Sequence, residues 1–128
     1  MSVATSCATI GRMGRTVLIV DDHEPFRRAA RELLTAEGYE VIGEAGDGAS
    51  AVSEALRLAP AIVLLDVQLP DADGFDVARR LAAAGHAGAT ILVSGRAAGD
   101  RRRIAESPAL GFVHKGELTG AALASLLG

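Results

Sequence analysis

Residues 16–20 read TVLIV and run straight into Asp21 and Asp22, and residues 61–65 read AIVLL and run into Asp66. Apolar runs of this length without polar alternation fit strands buried on both faces, as in a parallel sheet covered by helices. Between and after them the period changes. Phe26, Ala29, Ala30, Leu33 and Leu34 fall at helical spacing behind Pro25, with Arg27, Arg28, Arg31 and Glu32 on the outer side and Gly38 as the stop. Residues 39–45 read as a second strand. Asp47 is placed to cap a second helix, with Val52, Ala55, Leu56 and Ala59 inward and Pro60 ending it. A third helix is expected over 74–84 with Phe75, Ala78, Leu81 and Ala82 inward, followed by a strand at 90–93. A short Arg-rich helix over 99–107 stops at Pro108, and a short strand over 112–114 precedes a last amphipathic helix over 117–127. Five strand-helix units in alternation imply an α/β fold, a five-stranded parallel sheet with helices on both faces.

A chain of 128 residues has room for one such domain. Its 49% hydrophobic and 23% charged residues, with mean hydropathy +0.27, supply a core and exclude general disorder. Aromatics make up only 3% and Trp is absent, so the core must be aliphatic and a base-stacking surface is not available. A net charge of -3 argues further against nucleic acid. The longest apolar runs fall far short of the ~20 residues of a membrane span, and the N-terminal stretch lacks a secretory core, so a cytoplasmic protein is expected. Residues 1–15 are small and polar and read as a flexible tail, leaving 16–128 as the domain. The single Cys7 can form neither an internal disulfide nor a multi-cysteine zinc site.

Open parallel sheets bind ligands at the carboxyl ends of their strands. Asp21 and Asp22 follow the first strand, Asp66 the third, Ser94 the fourth and Lys115 the fifth. Three carboxylates at one edge cannot remain ionised together without a cation, since like charges raise one another's pKa. All-oxygen ligands on an open rim suit magnesium. A carboxylate beside such an ion is a competent nucleophile for phosphoryl transfer, with an ammonium and a hydroxyl to hold the other oxygens. Lys115 is the one lysine among thirteen basic residues, which favours a point charge required at that position over a leftover surface group.

The stretches VLIVDDHEP at 17–25, LLDVQLPDADGFD at 64–76, ILVSG at 91–95 and GFVHK at 111–115 together resemble the receiver domain of bacterial two-component response regulators, and the resemblance runs from Thr16 to about Leu127. It implies a CheY-like, flavodoxin-like doubly wound (βα)5 fold and a signalling switch that catalyses only its own phosphoryl transfer and dephosphorylation. By the same resemblance Asp66 is the phospho-acceptor. Asp21, Asp22, Asp66 and the Gln68 backbone carbonyl are the Mg2+ ligands, Ser94 and Lys115 hold the phosphoryl group, and Phe112 is the aromatic switch. Gln68 and Arg96 set the lifetime of the modified form. The implied partners are a sensor histidine kinase or phosphotransfer protein, and an output partner at the face of the fourth helix, fifth strand and fifth helix; a homodimer is a further option. Such receivers are normally joined to a helix-turn-helix domain, so the chain is expected to be a stand-alone receiver or a piece of a longer regulator.

Two departures bear on this. Gly116 stands where many receivers have a proline after the lysine, and Lys115 comes only 21 positions after Ser94, which shortens the fourth helix. Asp71 and Asp73 look like the start of a calcium loop but lack its distal Glu, so turn chemistry is the better reading. His23 is expected in a solvated loop, and His86 in a Gly-rich turn with no functional role. Alternation turns His114 away from Lys115, and Arg101, Arg102 and Arg103 are expected on a solvated face. A scaffold with a vestigial acidic rim would be expected to have lost a member of the set. A flavodoxin-like cofactor carrier would need a phosphate cradle where DDHEP places negative charge, and an aspartate-nucleophile hydrolase would need an acid where Gln68 stands.

Overall fold

A computed structural model describes residues 15–95 and 101–127. In chain order the elements are β1 (Thr16–Val20), α1 (Glu24–Ala36), β2 (Glu40–Ala45), α2 (Gly48–Leu58), β3 (Ile62–Asp66), α3 (Gly74–Ala83), β4 (Ala89–Ser94), α4 (Arg101–Glu106), β5 (Gly111–His114), a 3-10 turn (Lys115–Glu117) and α5 (Gly120–Leu127). All strand pairings are parallel in the order β2-β1-β3-β4-β5.

The period-2 alternation of β1 divides the core. Val17 and Ile19 point into one cluster with Leu34 of α1 and Leu123 of α5. Leu18 and Val20 point into the other, with Ala51 and Ala55 of α2 and Phe75, Ala78 and Leu81 of α3. Both faces are therefore sealed, which explains why β1 and β3 carry no polar alternation. From β1 the chain moves outward to β2, then crosses back to β3 on the other side of β1. That reversal opens a crevice at the carboxyl ends of β1 and β3.

Local chemistry sets most boundaries as expected. Asp47 accepts from Ser50 N–H at 2.7 Å to start α2, and Gly38, at φ 98, follows α1. Asp73 accepts from Asp76 N–H at 2.8 Å to start α3, confirming a turn role for it. Asp71 caps α2 from a distance, accepting from Gly48 N–H at 2.7 Å and Ala49 N–H at 3.1 Å. The last helix departs from expectation. Instead of one helix over 117–127, a 3-10 turn ends at Glu117, Leu118 inserts into the core, and Thr119 Oγ1 accepts from Ala122 N–H at 2.9 Å as the cap of α5. Gly120 is tied to the α1–β2 junction, its N–H donating to Glu37 Oε1 at 2.8 Å and its carbonyl accepting from Tyr39 Oη at 3.0 Å. For α4 the described helix starts at Arg101, and positions 99 and 100 of the expected 99–107 segment lie outside the described residues, as do 1–14 with Cys7. Arg15, which the sequence assigns to the tail, already accepts a hydrogen bond from Glu40 N–H at 2.9 Å.

Gly74 opens α3 directly against the strand that carries Asp66. A Cβ there would lie 2.5 Å from the Asp66 carbonyl oxygen and 2.8 Å from Val67 Cα, and neither backbone atom can swing aside. Gly74→Ala is expected to lower stability by about 1–3 kcal/mol, the range for overpacking. A urea midpoint equal to that of the parent would contradict this packing.

Candidate functional site

The register brings the acidic residues together. Val20 pairs with Leu65, so the next residues of β1 and β3, Asp21 and Asp66, emerge side by side at the crevice, with Asp22 one further on. Carboxylate oxygens of Asp21, Asp22 and Asp66 all lie within 4.8 Å of one another. Asp21 is 1% exposed and Asp66 6%, whereas Asp22 faces solvent. Ser94 ends β4 opposite His114 of β5, which places Lys115 just past the same edge. Lys115 Nζ pairs with Asp21 Oδ2 at 2.6 Å and with Asp66 Oδ2 at 3.6 Å.

The remaining contacts orient these groups. Asp21 Oδ1 accepts from His23 N–H at 2.8 Å, and Asp66 Oδ1 accepts from Gln68 N–H at 3.2 Å. The Gln68 loop closes as a small hairpin, Gly74 N–H to the Val67 carbonyl at 2.6 Å and Leu69 N–H to the Ala72 carbonyl at 3.2 Å, on either side of the Gln68 carbonyl. A cleft of about 410 Å³ is lined by Asp22, Asp66, Gln68, Pro70, Gly95 and Lys115. A larger groove of about 620 Å³ lies elsewhere, between β5 and α5, and includes Phe112 and His114. Of these two, only the smaller one gathers convergent charge.

Divalent magnesium fits this donor set. The donors are all oxygen, three carboxylates face one ammonium, and buried Asp21 Oδ2 meets Lys115 as an ion pair without hydrogen-bond geometry. Asp21, Asp22 and Asp66 could hold the ion.

Of the other residues singled out in the sequence, Phe112 is half-buried opposite Leu92 and packs against the α2–α3 cluster, away from the acids. Arg96 lies outside the described residues. His114 turns its Nδ1 to accept from Gly116 N–H at 3.1 Å, so it shapes the 3-10 turn and does not join the cleft. His23 is exposed, while His86 is half-buried in the turn after α3, with Nε2 lacking a hydrogen-bond partner.

Three side chains near the site make contacts that sequence reasoning missed. Phe26, read as plain core, lies under Lys115 with Nζ 4.5 Å from the ring centroid. Arg103, read as solvated, pairs with Asp73 at 2.7 Å and stacks over Phe75 at 4.2 Å. Arg27, read as outward, donates to the Asp21 carbonyl. The i,i+4 spacing of Arg27 and Arg31 was the available signal for the last, but their acceptor comes from a distant strand.

Burial pushes the Asp66 carboxyl above its usual range, aided by the Asp21 charge and opposed by Gln68 N–H and Lys115. Burial acts against the Lys115 ammonium, yet its close pairing with Asp21 and the two carboxylate charges win and raise it. An acid raised by folding destabilises the fold wherever it is ionised, above its unfolded value of about 4. In the absence of divalent ions, Asp66→Asn is therefore expected to raise the urea midpoint at pH 7. The gain should shrink as pH falls through the raised folded-state value and be gone below about pH 4, where the carboxyl is protonated in both states; an unchanged or lower midpoint at pH 7 would show that the Lys115 pairing outweighs burial.

The family model of the response regulator receiver domain matches residues 17–125. BvgA of Bordetella pertussis, named as a positive transcription regulator of virulence factors, is 39% identical over 106 residues, which is 82% of this chain and 51% of BvgA. The chemotaxis protein CheY of Thermotoga maritima is 41% identical over 69 residues, 54% of this chain and 58% of CheY. The chain thus spans about half the length of the curated relatives it matches. Among solved structures, the signal receiver domain of the response regulator NarL from Mycobacterium tuberculosis superposes with a TM-score of 0.76 at 28% identity, covering 91% of this chain and 98% of that one. With a β2-β1-β3-β4-β5 sheet, acids at its reversal and a match over nearly its whole length, the chain belongs to the response regulator receiver domain family of two-component signalling.

Proposed function

We propose that the domain, residues 16–128, is a phosphorylation switch in which Asp66 accepts a phosphoryl group from the phosphohistidine of a sensor histidine kinase or phosphotransfer protein. The observation that carries this is the placement of Asp66 between an acidic pair and a lysine, in an open cleft at the sheet's reversal.

Asp66 uses a carboxylate oxygen to attack phosphorus. The O–P bond forms as the P–N bond breaks, and the donor imidazole leaves with the electron pair and takes up a proton from solvent. Lys115 already spans Asp21 and Asp66, so a small displacement lets its ammonium meet a phosphoryl oxygen while keeping one carboxylate partner. Asp21, Asp22, Asp66 and the Gln68 backbone carbonyl would hold Mg2+, which supplies charge neutralisation for the phosphoryl oxygens. Ser94, at the end of β4, donates its hydroxyl to the phosphoryl group, and Phe112 on neighbouring β5 repacks in response. The face formed by α4, β5 and α5 then presents a different surface to an output partner or a second copy, a population shift driven by one new charged group. Gln68 and Arg96 govern how quickly water reaches the acyl phosphate. The domain acts in the cytoplasm, and its own partners are proteins rather than nucleic acid. Among the described residues no helix is long and apolar enough to cross a membrane.

Incubation with acetyl phosphate is expected to add one phosphoryl unit in a Mg2+-dependent manner, seen by intact mass. Asp66→Ala should abolish the addition; phosphorylation of that variant would overturn the assignment. Beryllofluoride with Mg2+ should shift the NMR signals of Ser94, Phe112 and Lys115. Exchange of both Gln68 and Arg96 should change the rate of dephosphorylation, and an unaltered rate would remove them from that role.

A further inference from the structure

Arg27 and Glu44 take no part in the chemistry above, yet they grip the main chain of the acidic pair. Arg27 Nη1 donates to the Asp21 carbonyl at 2.5 Å, and its Nε donates to Glu44 Oε1 at 2.9 Å. One helical turn later Arg31 Nε donates to the second oxygen, Glu44 Oε2, at 2.7 Å, and its Nη1 reaches the Val41 carbonyl at 3.3 Å. Glu44 is the penultimate residue of β2, and the last, Ala45, accepts from Asp21 N–H at 3.0 Å. The edge strand therefore holds Asp21 from both sides, directly through its N–H and through Arg27 at its carbonyl.

That carbonyl lies in the same rigid plane as the N–H of Asp22. Its direction fixes the torsions on either side, which aim the Cβ atoms of Asp21 and Asp22. Asp22 needs this aim from the backbone, because among the described residues its side chain makes no hydrogen bond or ion pair. Asp21 by contrast is pinned by His23 N–H and Lys115. Side-chain exposures of 20% for Arg27 and 29% for Glu44 shelter the bridge from water and salt.

From this geometry we infer that Arg27, anchored by Glu44, is a positioning residue for Asp22 and sets the affinity of the acidic cleft for a divalent cation. The inference rests on the reading of that cleft as a Mg2+ site. Guanidinium is required because the two acceptors, a carboxylate and a carbonyl, diverge. Its planar fork meets both, whereas the ammonium of a lysine is a point donor on a flexible stem.

The test is Mg2+ titration by NMR and calorimetry on the full chain, with the Mg2+ dependence of phosphorylation by acetyl phosphate measured in parallel. Arg27→Met is expected to weaken Mg2+ binding about tenfold, in the range seen when an outer partner of a metal ligand is removed. Its phosphorylation rate at saturating Mg2+ should stay within about twofold of the parent, since Asp66 and Lys115 are untouched. Arg27→Lys should not restore the affinity. Glu44→Gln, which keeps the shape but presents an amide donor to one arginine, should weaken Mg2+ binding several-fold and serves if Arg27→Met does not fold. Parental affinity in Arg27→Met or Glu44→Gln overturns the inference, as does full rescue by lysine or a rate deficit that saturating Mg2+ leaves in place. A parent protein that binds no Mg2+ removes the reading of the cleft and this inference together, whereas Mg2+ binding equal in parent and variants removes only the positioning role.

Discussion

Two buried carboxylates, Asp21 and Asp66, lean on a single ammonium, that of Lys115. Burial of ions is expensive unless each is paired and hydrogen-bonded. Here the arrangement is only partly compensated, and Asp22 adds a third negative charge within reach. The rest of the molecule makes this tolerable. Aliphatic clusters on both faces of the sheet hold the strands in register with no help from the acids. Short turns fix the exits from β1 and β3 through hydrogen bonds from main-chain N–H groups, two of them to the acids themselves. A domain organised in this way keeps a concentrated negative field at one edge, complementary to a divalent cation.

Much of this was readable without coordinates, for identifiable reasons. VLIV of β1 and IVLL of β3 are buried on both faces, and unbroken apolar runs are the direct signature of that state. Since every strand points the same way, the residue after each strand must lie at one edge, which is why Asp21, Asp66 and Lys115 could be gathered from their positions alone. What stayed hidden depends on contacts between distant segments. Phe26 fits a helical core stripe equally well whether or not a lysine from position 115 lies over its ring. Arg27 and Arg31 look solvated because nothing local reveals that Glu44 of β2 is their acceptor. The start of α5 was misplaced because hydrophobic period alone cannot separate a helical Leu118 from one inserted into the core by an extended backbone.

The loops around the cleft are held by side chains that carry two duties each. Asp73 caps α3 and also pairs with Arg103 of α4, and Asp71 crosses from the Gln68 loop to the start of α2. The Gln68 loop is thereby braced against two helices, and Gly74 allows α3 to begin in contact with the backbone of the reactive strand.

At the opposite end of the lysine turn, Gly120 has both its main-chain groups taken by Glu37 and Tyr39, residues that belong to neither the cleft nor the β5–α5 groove. That anchorage fixes the far end of residues 115–119, and between it and β5 Leu118 sets its side chain in the apolar interior. The lysine that pairs with the buried acids is thereby tied to the packing of the core through a segment of five residues.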